Sequence, residues 1–339
     1  MFEDWLGSTA CRSSVPDFRH RDIDLASLRR EIEIAYRLGE GVVRIEESAS
    51  PRHLLLRASS SARYSAEIWA LMPEENTSAQ LACFDTRASM LELISKADPD
   101  LPVSKLIRAR SGTASAQLSI GAKRYAVQLF SRPAGIAANS ADITSRQRIS
   151  LGSFMARIHL AGRISAPYGN GSAGGTLDGR VADALANVRH LKSRNTQRLS
   201  RAALTKVQSR RSMLASFPHC YIHGALAPQH VYVDPEEADQ IIGLAGFCCW
   251  SWEPRVVDIA IAAAGYLATS LKDSSIDDIL KGYLARTSLL DEEIETAPLL
   301  VNAELAILAT SMAAAIADQD YRVEPQCVDR VVSAIKSLA

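Results

Sequence analysis

The chain has 339 residues, 47% of them hydrophobic, with 38 Lys and Arg against 38 Asp and Glu. That length holds two cores and is short for three domains, and the apolar content excludes a disordered chain. A net charge of zero gives no sign of a nucleic-acid groove or of a polybasic membrane patch. The six cysteines (Cys11, Cys83, Cys220, Cys248, Cys249 and Cys327) form no regular framework, which suits reduced thiols in the cytoplasm. The opening MFEDWLGSTACRSS has early acids and no apolar core, so it does not read as a secretory signal.

Asp24 is placed to cap a helix over LASLRREIEIAYRL, ended by Gly39. The period then shortens. Residues 41–46, 53–58 and 63–71 are short runs rich in Val, Ile, Leu and Tyr, separated by SASP and SSSA, and read as an antiparallel meander. A helix is expected from about 78 to 97, with Leu81, Phe84, Met90, Leu91 and Ile94 on its apolar side, and DPDLP breaks it. Residues 105–110, 114–120 and 124–130 are three further strands. SRPAGIAANSAD, at 131–142, reads as a hinge between an N-terminal part, 1–130, and a C-terminal part, 143–339.

Beyond the hinge the pattern is mainly helical. Residues 144–160 put Ile149, Leu151, Phe154, Met155 and Ile158 on one face. Residues 166–175 are a loop, 177–194 and 200–215 are helices, and 220–244 is a small strand–loop–strand insert. The apolar runs 259–268 and 298–317 read as core helices. The first is about half a membrane span, and Asn302 and Glu304 interrupt the second.

Two segments of the C-terminal part stand out. YIHGALAPQHVYVD (221–234) carries a His-Gly pair, a Pro at 228 and a Val-x-Val-Asp exit; IIGLAGFCCWSWEPRVVDIAIA (241–262) follows it. They resemble the catalytic and metal-binding loops of aminoglycoside phosphotransferases, choline kinases and homoserine or hydroxylysine kinases. Those families read H-G-D-L-x-P-x-N-V-L-V-D and then G-x-I-D-F-x(10)-D-L-A. His223, Gly224, Leu226, Pro228, Val231, Val233 and Asp234 match the first pattern, and Gly243, Phe247, Asp258 and Ala260 the second. DPDLPVSKLI (98–107) and LGSFMARIH (151–159) resemble further segments, in the manner of the hydroxylysine-kinase-like or homoserine-kinase-like branch. The resemblance spans roughly residues 40–320. It implies an α+β, bilobal protein-kinase-like fold with a small antiparallel β-rich N-lobe and a larger, mainly helical C-lobe.

The same resemblance puts replacements where the chemistry should sit. The catalytic Asp falls on Ala225, the metal-binding Asn on His230 and the magnesium-binding Asp on Gly246. The phosphate-binding Lys of the family's Y-V-L-K-I strand falls on Glu67, within Tyr64–Ile68. No Lys precedes Lys96 in any case, and Arg57 or Arg63 would offer charge only in a wider fork. His223, Gly224 and Asp258 remain, and in this fold Asp258 would brace the catalytic loop.

Phosphoryl transfer rests on positioning and charge neutralisation. Magnesium wants hard oxygen ligands in an octahedron, and Ala225 has no group to take a proton. The expectation is therefore a catalytically impaired pseudokinase, with weak or absent Mg-ATP binding and no other cofactor. It would be cytoplasmic and would hold a small molecule or peptide, in the cleft by the catalytic loop, for a partner enzyme of the same pathway. Neither nucleic acid nor membrane is expected as a partner. Two alternatives stay open. One is a transferase using the fold for non-standard chemistry; the other is a phosphotransferase of amino-alcohol or aminoglycoside type with unusual active-site residues. Trp250 and Trp252 flank the second loop as possible cleft lining, or else as core filling. Cys220, His230, Cys248 and Cys249 are what a soft metal would use, although their spacing fits no standard zinc pattern.

Overall fold

A computed structural model describes residues 23–38, 44–47, 53–57, 63–71, 74–138, 144–163, 175–237, 239–270, 275–318 and 325–338. The chain divides into two compact units that part between Pro133 and Ala134.

The first unit opens with helix α1, Leu25–Tyr36. Asp24 caps it, its carboxylate accepting the Ala26 N–H at 3.1 Å and the Ser27 hydroxyl at 2.5 Å. Leu28, Ile32 and Tyr36, four apart, form the buried face. The helix stops short of Gly39 because Arg37 already takes the left-handed conformation, φ 49°. The Tyr36 hydroxyl donates to the Val127 carbonyl at 2.5 Å and accepts the Ala116 N–H at 3.2 Å, fastening α1 to the sheet.

That sheet runs β1 (Arg44–Glu47), β2 (His53–Arg57), β3 (Arg63–Ala70) and β6 (Lys123–Ser131), all antiparallel neighbours. The far side of β6 pairs with β4 (Leu106–Ile107) at one end and β5 (Ala116–Ile120) at the other. The strand expected over 105–110 shrinks to two residues because its backbone turns away to other partners. Arg110 donates to the Ala35 carbonyl of α1 at 2.7 Å, and Ala109 donates across a turn to Thr113 at 3.1 Å. Helix α2, Glu74–Ala97, is inserted between β3 and β4 and begins four residues earlier than the apolar pattern suggests.

The second unit contains β7 (Ile136–Ala137), α3 (Ser145–Gly162), α4 (Leu177–Asn187), α5 (Arg194–Ser209), α6 (Arg211–Ser216), β8 (His219–Ile222), β9 (Val231–Val233), β10 (Ile241–Leu244) and β11 (Ser251–Pro254). It continues with α7 (Arg255–Ser270), α8 (Ser275–Leu284), α9 (Asp291–Ala317) and α10 (Pro325–Ser337). Part of the segment read as a hinge is β7, which pairs with β9. The expected insert is two small sheets, β10-β9-β7 and β11-β8. The helix read to 194 stops at Asn187, and the next starts early because Ser193 caps it through the Thr196 N–H at 3.5 Å. Helix α9 is long and apolar enough to cross a membrane, but 72% of its most apolar window is buried inside this unit. It therefore sits as a core helix. Glu293, in its first turn, grips Arg255 at the start of α7 with paired contacts of 2.9 and 2.6 Å.

Candidate active site

The loop carrying the family's catalytic pattern leaves β8 at Ile222 and re-enters β9 through a short turn, Pro228–His230. Its shape is held by Asp258, in the first turn of α7 and fully buried. Asp258 Oδ2 accepts the His223 N–H and Oδ1 the Gly224 N–H, both at 3.0 Å. His159 of α3 adds its Nε2 to Oδ2 at 3.0 Å, and its Nδ1 meets the Tyr283 hydroxyl at 3.0 Å. Burial alone would raise the Asp258 carboxyl. The His159 hydrogen bond and charge, the His223 charge and the Gly224 N–H outweigh it and hold the carboxyl below the usual range. The His223 ring meets the Ala245 carbonyl through Nε2 at 2.8 Å, and its Nδ1 lies 3.3 Å from the Ala225 nitrogen. One imidazole thus joins the catalytic loop to the loop where the metal-binding Asp would stand. Gly224, φ 76°, lies so close to the Cys249 carbonyl that a Cβ would stand 2.0 Å from its oxygen.

The two positions where the resemblance puts metal ligands, 230 and 246, form a single packing event. Gly246 is left-handed, φ 83°, and a Cβ built on it would lie 2.1 Å from Nδ1 of His230. The imidazole at the Asn position therefore occupies the space that an Asp at 246 would need. Magnesium would find no carboxylate there, and a ring nitrogen is a poor ligand for so hard an ion. The residues present do not fit the Mg-ATP that this fold ordinarily uses. Gly246→Asp is accordingly expected to lower the thermal midpoint by about 10 °C, through a φ > 0 penalty and overpacking of about 1–3 kcal/mol each. His230→Asn in the same chain should recover part of that loss by freeing the space. A melting series over the two single variants and the double variant reads this directly.

Glu67, which the resemblance puts at the family's Lys position, faces a cation. On β3 it stands opposite Gln128 of β6. Its carboxylate meets Arg87 of α2 at 2.6 Å, with both side chains under 5% exposed. Arg87 also donates to the Gln128 side-chain oxygen and lies 4.9 Å over the Phe130 ring. Protein kinases pair a Lys on the third strand with a Glu on the following helix. Here the acid is on the strand and the base on the helix.

A cavity of about 70 Å³ opens beside the catalytic loop, lined by Gly224, Ala225, Leu226, Arg180, Glu304 and Ser311 among others. Glu304 of α9 meets Arg180 of α4 through Oε2 at 2.5 Å. Its Oε1 is buried with no hydrogen-bond partner among the described residues, and burial raises its carboxyl despite Arg180. Trp250 and Trp252 do not line this cavity. Both pack edge-on against Tyr221, at 5.6 and 5.0 Å, and Trp250 is fully buried. Trp250 fills core space, and Trp252, half-buried on β11, packs opposite Tyr221 of β8. Among the described residues no group of three or more His, Cys, Asp or Glu is arranged to hold a metal ion. Cys220 and Cys249 are buried, and burial pushes the Cys220 thiol up, away from the thiolate a metal needs. The Cys248 side chain lies outside the described residues.

An antiparallel sheet with one inserted helix, followed by a helical unit carrying a His-Gly loop braced by a buried Asp, is the arrangement of small-molecule kinases. Residues 33–294 match the model of the phosphotransferase enzyme family (APH), and the chain belongs to that family. No curated sequence matches. Among solved structures it is similar to amicoumacin kinase hAmiN in complex with AMP-PNP, Ca2+ and Ami, with TM-score 0.70, 12% identity and 93% of each chain covered. It is also similar to a microcompartment-associated aminopropanol kinase, with TM-score 0.62, 14% identity and 93% of this chain against 95% of that one. Choline kinase LicA from Streptococcus pneumoniae gives 0.59, 13%, 92% and 97%. At such identities the likeness is one of fold.

Proposed function

We propose that this protein is a catalytically silent member of the phosphotransferase family that holds a ligand, for a partner enzyme, without phosphorylating it. The observation that carries the reading is the His230 ring standing where a metal-binding carboxylate at 246 would be. The inverted Glu67–Arg87 pair supports it, because a buried carboxylate at the Lys position repels phosphate. Ala225 supports it too, since phosphoryl transfer to a hydroxyl needs a group that orients the proton. Losing one such group costs about two to four orders of magnitude in rate.

The ligand site of this reading is the cavity beside Ala225. Its charged lining residues are Glu304 and Arg180, joined to each other at 2.5 Å. A compact molecule with one N–H or O–H donor and an apolar body suits it. The structural neighbours named above are kinases of small molecules, which agrees in scale. The buried cysteines Cys220, Cys249 and Cys327 suit a reducing, cytoplasmic setting.

The test is the thermal midpoint with ATP, with and without magnesium. No shift in either condition is the expected result, because only a ligand bound by the native state stabilises it. A magnesium-dependent rise of several degrees would sink the reading. A rise without magnesium would favour a transferase that binds nucleotide in an unusual way.

A further inference from the structure

The balanced charge of the chain is unevenly spread. Residues 184–233 hold eight Lys and Arg and no Asp or Glu. The fold gathers this excess on α5. Thr196, Ser200, Leu204 and Val207 form its buried side. Arg194, Arg198 and Arg201, at spacings of four and three, stand on the opposite, exposed side with Lys206, along a shallow groove that Gln197 and Thr205 also line. Among the described residues Arg194, Arg201 and Lys206 meet no carboxylate, and Arg198 donates only to Asn195, at 3.1 Å.

Some exposed cations on other elements do meet a carboxylate, while others, such as Lys105 and Lys123, stand singly rather than in a row. Arg29 meets Glu33 at 3.0 Å, Arg108 meets Glu92 at 2.5 Å, and Arg211, just past α5, meets Asp178 at 2.6 Å. The stripe also works against its own helix. Like charges three and four apart disfavour it, and Arg194 and Arg198 crowd the N-terminal end, where the helix dipole is already positive. Helix stability gives no reason for this arrangement.

We infer that the exposed side of α5 docks an acidic helical segment of a partner protein, its carboxylates spaced to meet Arg194, Arg198 and Arg201. Arginine forks match carboxylates in two-point contacts, and a helix of 16 residues presents a stripe about 24 Å long. A membrane is a worse match. The stripe holds no large apolar side chain to insert, and the exposed large hydrophobics, such as Ile34, Leu160 and Leu284, lie on other elements. Nucleic acid is also worse. A chain with zero net charge carries as much negative charge elsewhere as this stripe carries positive, and a long polyanion would meet that repulsion. No exposed aromatic on α5 offers a stacking platform. A short acidic helix touches only the stripe. The inference does not depend on catalytic silence, and an active kinase could carry the same surface.

The experiment is fluorescence anisotropy on the full chain with a synthetic 20-residue helical peptide bearing Glu at every third and fourth position. The same peptide with Gln for Glu, a 20-base-pair DNA duplex and phosphatidylserine vesicles serve as rivals. The Glu peptide is expected to bind with an affinity that falls about tenfold or more between 50 and 300 mM salt. The Gln peptide should show no binding. R194E/R198E/R201E should lose at least about tenfold in affinity with a melting midpoint no lower than that of the wild type. R194Q/R198Q/R201Q, which adds no new charge, serves if the first variant fails to fold. Tighter binding of duplex or vesicles, no binding of the Glu peptide, or an affinity untouched by both variants would each overturn the inference.

Discussion

Glu67→Lys, which returns the family's residue to its strand, is expected to lower the thermal midpoint by about 10 °C or more rather than to create a phosphate site. The Lys ammonium would stand against the Arg87 guanidinium in a place where both side chains are under 5% exposed. Breaking a buried pair so that a charge is left uncompensated costs about 3–5 kcal/mol, and each kcal/mol moves the midpoint by about 2–8 °C according to domain size. The loss belongs to the polarity of the pair and not to the place. Glu67→Lys together with Arg87→Glu puts the same two charges back in the opposite order, so the double variant should recover most of the lost stability. The Gln128 amide can follow the exchange. Its oxygen now accepts from Arg87 while its Nε2 lies 3.3 Å from the Phe84 carbonyl; a flip would offer N–H to a carboxylate at 87 but turn the amide oxygen onto that carbonyl, so recovery stops short of complete. Melting of the four proteins, wild type, two singles and the double, forms a double-mutant cycle. A double variant no more stable than Glu67→Lys alone would show that the network cannot accept the reversed order.

This pair also marks where the sequence stops being informative. Alignment of one short strand puts Glu67 at the Lys position and says nothing of Arg87. That residue lies twenty positions away on a helix whose rotation about its axis is set by packing on the sheet. Nor does the alignment give Gln128, which reaches Glu67 only through the register of β3 on β6. His223, Gly224 and Asp258 were legible for the opposite reason. Their contacts are backbone N–H to carboxylate bonds within one strand–loop–strand–helix stretch, so the family resemblance of that stretch implies the geometry. Ala225, His230 and Gly246 read as three separate losses in the sequence. In three dimensions two of them are one substitution, because the ring at 230 needs the missing Cβ at 246. The charged pair at the cavity was out of reach, since Arg180 and Glu304 are 124 residues apart and no local pattern connects them. The α5 stripe was readable as a run of cations without acids, but only the buried side of the helix tells which of them share a face.

Asp258→Ala should be the most destabilising single change in the second unit, at about 4–6 kcal/mol or about 10–20 °C in its melting transition. The carboxylate accepts three donors at 3.0 Å, the N–H groups of His223 and Gly224 and the His159 ring. None can turn to water, because Asp258, His223 and His159 are each no more than 1% exposed. Each orphaned buried donor costs about 1–3 kcal/mol. Asp258→Asn keeps an acceptor and should cost less. Acidity gives an independent check, with a sign fixed by the direction of the shift. The folded carboxyl is held below its unfolded value by the His159 contact and charge, the His223 charge and the Gly224 N–H, against the opposing effect of burial. Its contribution is therefore complete above about pH 4, the ordinary range of an Asp, and is lost as pH falls through the lower, folded value. The gap in midpoint between wild type and Asp258→Ala should close as pH falls below about 4. A gap that widens on acidification, or one worth less than about 1 kcal/mol at neutral pH, would mean that the loop is held by something other than this carboxylate. That bracing sets the shape of the loop beside the cavity, including Ala225 in its wall.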